Sequence, residues 1–224
     1  MKKLIFLIAY FLFIITQSYS QENYPLGMGL FLSLKSGVNG VASPAGRKNK
    51  IAFNGLPDFG ITSYVPVGVE TKLAFTFDLA YSTYAYSVIS NDYQNRFTLR
   101  YSYLAFSPNI HFDGVIFGFN FGYPIAASYG ATIDRKNLSL LAECRLGGII
   151  PVYTDEKGRL NIVVLGGYML TGIYKDFTKD DPLILSIPPE PYNLWTKAYN
   201  PRALSLSVGV NYTFNLEPPA EAKP

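Results

Sequence analysis

The chain has a single cysteine, Cys144, a single histidine, His111, and a single tryptophan, Trp195. One cysteine cannot close an internal disulfide, and Cys144 lies in an apolar strand pattern. It therefore reads as a small buried or lipid-facing hydrophobe, not a reactive thiol. No His/Cys cluster exists to hold zinc, and Asp176, Asp180 and Asp181 lack the spacing of a calcium loop. Charge is also scarce: 16% of residues are Asp, Glu, Lys or Arg, against the usual quarter or so. The formal charge of +3 falls to +1 once Lys2 and Lys3 are set aside, which gives no support for nucleic-acid binding. GFNFG (118–122) lacks the strand-loop-helix context of a phosphate cradle. Asn137-Leu138-Ser139 and Asn211-Tyr212-Thr213 match the glycosylation pattern, but at a strand start and within a strand, and we take both as chance matches. Beyond residue 20 there is no apolar run of the ~20 residues that a membrane helix needs. Such a chain can enter a membrane only as strands.

What is abundant points the same way. Hydrophobic residues make up 49% of the chain, and 18 Tyr and 16 Phe bring the aromatics to 16%. That bias suits β structure at a boundary between water and something apolar. Residues 1–20 read as a secretory signal: a basic MKK start, an apolar stretch from Leu4 to Ile15, and Ser18 and Ser20 at −3 and −1 of a cleavage before Gln21. No cysteine follows that site, which excludes a lipoprotein anchor. An uncleaved membrane helix is the weaker alternative.

Residues 21–216 form the main domain. Period-2 alternation predicts eight strands, near 26–36, 57–67, 71–84, 96–108, 114–124, 138–152, 159–173 and 203–214. Most are ten residues or longer, whereas globular strands usually have about five or six and tilted membrane strands about 9–11. In the last of them Leu204, Leu206, Val208, Val210, Tyr212 and Phe214 share one face, and Ser205, Ser207, Gly209, Asn211 and Thr213 the other. Connections alternate strictly between short and long. That rhythm predicts a single all-β, eight-stranded antiparallel transmembrane barrel with short periplasmic turns, long extracellular loops and both ends periplasmic. A lipocalin-type barrel or a sandwich also alternates, but would stud its polar face with Lys and Glu. Here that face is mostly Gly, Ser, Thr, Ala and Asn, as in a narrow lumen. Residues 217–224 read as a short disordered periplasmic tail.

Gly209, Tyr212 and Phe214 resemble the C-terminal signal by which outer-membrane barrels are recognised by the barrel-assembly machinery. LSLKSGVNG (32–40), GLPDFGITSYVPVG (55–68), KLAFTFDLAYS (72–82) and RYSYLAFSPNIHF (100–112) resemble, in their order, the PorT-like family of bacterial outer-membrane barrels. The resemblance implies an outer-membrane location and, for some members, a part in a protein-secretion apparatus.

Strand phasing places Lys35, Asp78, Arg100, Glu143 and Arg145 inward, as an ionic plug or as the lining of a narrow pore. His111 falls beside the short turn at Asp113-Gly114. That is the wrong end for outer-leaflet lipid chemistry, which needs a base beside a nucleophile, so no catalytic residue, cofactor or metal is assigned. Leu183, Ile184, Leu185, Ile187 and Trp195 make the last loop unusually apolar. They either fold over the barrel mouth or form a contact surface for a partner. Arg47, Lys48 and Lys50 in the first loop are candidates to meet anionic lipopolysaccharide, or simply solvated charges. The sequence thus favours a non-enzymatic membrane scaffold or interaction protein contacting outer-membrane lipid and no nucleic acid, and the resemblance implies an accessory part in an envelope or secretion assembly. A small passive channel and a lipid-modifying enzyme are the rivals.

Overall fold

A computed structural model describes residues 25–41, 43, 47–67, 72–90, 96–176 and 200–216. The expected signal, the expected tail and the loop residues Leu183, Ile184, Leu185, Ile187 and Trp195 lie outside these. The strands in chain order are β1 (Gly27–Asn39), β2 (Arg47–Lys50), β3 (Ala52–Phe53), β4 (Asp58–Pro66), β5 (Leu73–Ser90), β6 (Arg96–Phe112), β7 (Val115–Tyr129), β8 (Ala131–Ile133), β9 (Leu141–Thr154), β10 (Gly158–Met169) and β11 (Ala203–Asn215). Eight of them are long and pair antiparallel in the order β1-β4-β5-β6-β7-β9-β10-β11. β11 returns to β1 from Gly27↔Asn215 to Asn39↔Ala203. The ring is closed, so no wall strand leaves a row of backbone donors and acceptors unpaired at an edge. The short β2, β3 and β8 are loop segments that pair with β5, β1 and β7.

The two ends of the barrel differ. At one, here called the turn end, β6 and β7 are joined by Asp113 and Gly114 alone. Both have positive φ, 48° and 80°, the signature of a type I′ hairpin whose twist matches its strands. The β9–β10 turn is pinned by Asp155, whose Oδ1 accepts from Gly158 N at 2.8 Å and Lys157 N at 3.0 Å. The longer connections lie at the opposite, loop end. β5 and β7 run well past their predicted bounds toward it, to Ser90 and Tyr129. β5 continues from 84 to Ser90, and β6 pairs with it from Leu73↔Phe112 to Ile89↔Arg96. The continuation carries Tyr84, Tyr86 and Val88 inward onto Leu99, Tyr101 and Tyr103, all fully buried. Much of the expected second long loop is therefore wall.

Outward residues form an apolar belt with no charge in it. β1 contributes Met28, Leu30, Leu32 and Leu34, β7 Phe117, Phe119, Phe121 and Tyr123, and β11 Leu204, Leu206, Val208, Val210 and Phe214, all exposed. From Leu204 to Phe214 along β11, at about 3.4 Å per residue and a strand tilt of about 40°, the belt stands about 26 Å tall, against the ~25 Å apolar band of membrane barrels.

Candidate functional site

The inward faces meet in a lumen of three layers. The layer nearest the loop end is aromatic. Tyr84 packs edge-on to Tyr103, Tyr86 stacks on Tyr101, and the hydroxyls of Tyr101 and Tyr174 lie 2.9 Å apart. Leu99, Leu138, Leu141, Met169 and Ile173 fill the space between them. A Tyr can do this because its ring buries apolar area while its hydroxyl stays within reach of a partner.

The middle layer is ionic. Lys35 on β1 reaches Asp58 on β4, with Nζ 2.5 Å from Oδ2 and both side chains 3% exposed. Lys35 also donates to Ser82 Oγ at 2.9 Å. Ser82 in turn donates to Asp58 Oδ2 at 2.9 Å, and Thr83 donates to Oδ1 from N at 2.7 Å and from Oγ1 at 2.9 Å. Tyr84 joins this pair to a second cluster. Lys35 Nζ sits 3.9 Å over its ring, while its hydroxyl donates to Glu143 Oε2 at 2.5 Å. Glu143, on β9, also accepts from Ser205 Oγ at 3.0 Å and Asn120 Nδ2 at 3.2 Å, and lies 3.8 Å from Arg145 Nε. Arg145 donates to Ser107 Oγ at 2.8 Å, and Ser107 donates to Asn120 Oδ1 at 2.9 Å. Gly167 leaves the space this needs: a Cβ there would stand 2.1 Å from Glu143 Oε1.

The third layer, toward the turn end, centres on Asp78. It accepts from Thr62 Oγ1 at 2.7 Å and Asn109 Nδ2 at 3.0 Å. Asp78, Asn109, Arg145, His111 and Thr76 border a cavity of about 50 Å³, room for a few water molecules and no more. His111 Nε2 lies 3.0 Å from Thr76 Oγ1, and its ring stands edge-on to Tyr64, with Arg159 stacked 3.8 Å over the other ring. Formally, the inward-facing carboxylates Asp58, Asp78 and Glu143 balance Lys35, Arg145 and Arg159. Such balance matters because an ion taken out of water needs both a counter-charge and hydrogen bonds.

Four of the five predicted interior charges, Lys35, Asp78, Glu143 and Arg145, face this lumen. Arg100 does not. On β6 it is the even-numbered residues, Leu104, Phe106, Ile110 and Phe112, that face outward. Arg100 shares their face, exposed, opposite Ala85 and beside Gly55 at the loop-end rim. The phase error has a physical source: Tyr101, Tyr103 and Ala105 make the inward face of β6 almost as apolar as the outward one. His111 lies beside the Asp113-Gly114 turn as expected, near the end of β6, with its ring turned into the lumen. Asp58 escaped sequence reading because it stands at a strand start beside Pro57, where an acidic residue reads as a turn former. Tyr84 escaped because an aromatic reads as lipid-facing.

Gly209 faces inward at a close approach of β1, a Cβ there falling 2.4 Å from Leu32 O. Tyr212 and Phe214 share the outward face with ring centroids 4.7 Å apart. Charge is uneven between the two ends. The described part of the loop end carries Arg47, Lys48, Lys50, Arg96, Arg100, Arg135, Lys136, Lys175 and Arg202 against Asp134 and Asp176, while the turn end has the Lys72–Asp113 pair at 2.9 Å and Asp155, Glu156 and Lys157. Among the described residues there is no group of three or more His, Cys, Asp and Glu that could hold a metal ion.

No family model matches the chain, and no curated protein matches it. Among solved structures it is similar to the crystal structure of the outer membrane protein OprG from Pseudomonas aeruginosa. The TM-score is 0.38 at 11% identity, over 86% of this chain and 98% of that one.

Proposed function

We propose that the protein is a closed, non-enzymatic outer-membrane barrel acting as a membrane-embedded scaffold or interaction protein, an accessory of an envelope or secretion assembly. The outer-membrane placement rests on the charge-free belt, whose height fits a bilayer, and on the signal read at residues 1–20. In that placement the turn end is periplasmic and the loop end extracellular. The observation that carries the scaffold reading is the filled lumen. Tyr84, Tyr86, Tyr101, Tyr103 and Glu143 are each at most 1% exposed, and the cavity beneath them, bordered by Asp78 and His111, measures about 50 Å³. A wall that is apolar outside and a core packed to water-sized voids has little left to offer except its ends.

The single histidine supports a role without catalysis: His111 contacts Thr76 inside the lumen, away from any lipid headgroup. The resemblance to PorT-like barrels supports the assembly role. The apolar loop residues Ile184 and Trp195 are the positions we expect a partner to meet, and Gly209, Tyr212 and Phe214 those expected to be read during insertion.

The test pairs two measurements. A photo-crosslinking residue at Ile184 or Trp195 in living cells should yield a discrete partner adduct in the outer-membrane fraction. The refolded protein in a planar bilayer should stay at the lipid baseline. Steady conductance would replace the scaffold with a passive channel. Recovery in the soluble fraction would end the membrane reading.

A further inference from the structure

On the outer face near the loop end, β7 and β9 part company. Their ladder ends at Gly122↔Leu141. Beyond it Pro124 has no N–H to donate, and β7 turns back through β8. The gap is a groove of about 480 Å³, bordered by Tyr123, Arg135, Lys136, Leu140 and Lys175, with Asp134 as its one carboxylate. Asp134 is already engaged, with Oδ2 3.0 Å from Lys136 Nζ and Oδ1 accepting from Lys136 N. Arg135 and Lys175, both exposed, have no carboxylate in salt-bridge contact among the described residues.

What lies below the groove identifies its occupant. Phe117, Phe119, Phe121 and Tyr123 form a continuous outward column up β7, ending at Tyr123, 57% exposed. Arg135 Cζ stands 5.9 Å above the Tyr123 ring, and Leu140, 62% exposed, flanks it. An apolar column that ends in an aromatic ring under an excess of cations, Arg135, Lys136 and Lys175 against Asp134 alone in the groove lining, matches an amphiphile with acyl chains below and anionic oxygen above.

We infer that this groove binds the phosphate of a phosphorylated glycolipid headgroup in the outer leaflet. Arg135 and Lys175 hold the phosphate, the sugar rests on Tyr123 and Leu140, and the acyl chains follow the phenylalanine column. Arg135 is suited to the role because its planar fork can grip two phosphate oxygens at once. The inference rests on the outer-membrane placement proposed above.

The test uses the full mature chain refolded in detergent micelles, with folding confirmed by a band whose gel mobility shifts on boiling. Native mass spectrometry then measures retention of bis-phosphorylated lipid A, dephosphorylated lipid A and phosphatidylglycerol. The expected result is preferential retention of the bis-phosphorylated form. Arg135→Gln/Lys175→Gln should lower it about tenfold, through loss of two charge-assisted contacts. Lys72→Gln/Lys157→Gln, an equal charge change at the turn end, should stay within about twofold. An equal drop in that control would mean diffuse attraction and overturn the site. Equal retention of dephosphorylated lipid A or of phosphatidylglycerol would overturn it too, as would an unaltered groove variant. A chain that folds in buffer without detergent would fail at the first step, and would remove the membrane placement before any lipid is added.

Discussion

The Lys35–Asp58 pair is where removing one side chain should tell most. At 2.5 Å and an effective dielectric constant of about 20, the mutual attraction is about 7 kcal/mol, most of it offset by the several kcal/mol of desolvation each ion bears. The partners are not equally dependent on each other. Without Lys35, Asp58 keeps three donors: Ser82 Oγ, Thr83 N and Thr83 Oγ1. Without Asp58, Lys35 keeps one acceptor, Ser82 Oγ, and the face of Tyr84. Lys35→Met should therefore cost about 3 kcal/mol and Asp58→Leu about 4 to 5, because the second strands a buried ammonium and orphans the Thr83 N–H, the Thr83 hydroxyl keeping Leu56 O. The double variant should cost only about 2 to 3 kcal/mol, far below the sum of about 7, since no unpaired ion remains. Urea titration of protein folded into lipid vesicles, scored by the fraction of the band that boiling shifts, measures all three. Costs that add in the double variant, or a Lys35→Met loss equal to that of Asp58→Leu, would show that the pair is wet and uncoupled and refute the reasoning.

Two further outcomes follow from the wall and its turns. Val208 sits mid-strand between Leu34 and Val164, whereas Leu204 pairs with Val38 near the loop end. Val208→Arg should cost about 2 to 4 kcal/mol in the same titration and Leu204→Arg at most about 1. Equal penalties would mean that the belt is not at bilayer depth. At the β9–β10 turn, hydrogen bonds from the Gly158 and Lys157 backbones hold the Asp155 carboxyl below its ordinary 3.8. A depressed folded value gives stability that is present above the unfolded pKa and fades as pH falls through the folded one. The wild type should thus lose more stability than Asp155→Asn between pH 5 and pH 2, as parallel titrations would show, and identical slopes would exclude this role for the carboxylate.

The wall was legible in the sequence and the lumen only partly so, for a physical reason. A strand facing lipid must be apolar at every second position, and its partner face small or polar, so the period itself reports the structure. The column Leu204 to Phe214 emerged as read, with every side chain on its expected face. The lumen obeys a looser rule: any side chain is tolerated there if its polar atoms find partners across the ring. Those partners come from strands far apart in the chain, as Lys35 finds Asp58 and Glu143 finds Tyr84 and Ser205. Register decides such meetings, and register is invisible to local pattern. The rim is different again. Phasing by apolar neighbours turned Arg100 inward because both faces of β6 are apolar, and an exposed charge is tolerated beyond the height of the belt.

The tyrosines and their partners explain how a strand with two nearly apolar faces can still specify which face goes inside. A strand with two apolar faces has no preference between lumen and lipid, and a slip of one residue would invert it. β6 comes closest to that condition, with Tyr101, Tyr103 and Ala105 inward and Leu104 and Phe106 outward. Its phase is held by partners instead. The Tyr101 hydroxyl meets that of Tyr174, Ser107 joins Arg145 and Asn120, and Asn109 donates to Asp78. Turned outward, each of these groups would lie in or beside hydrocarbon with nothing to bond, while Leu104 and Phe106 would displace the ionic layer. The interior charges therefore do more than fill space: by bonding across the ring they set the facing of the one strand whose own alternation does not. On this argument the ionic layer and the narrow bore belong together, because only in a barrel this tight can one carboxylate, Glu143, reach side chains from β5, β7 and β11 at once.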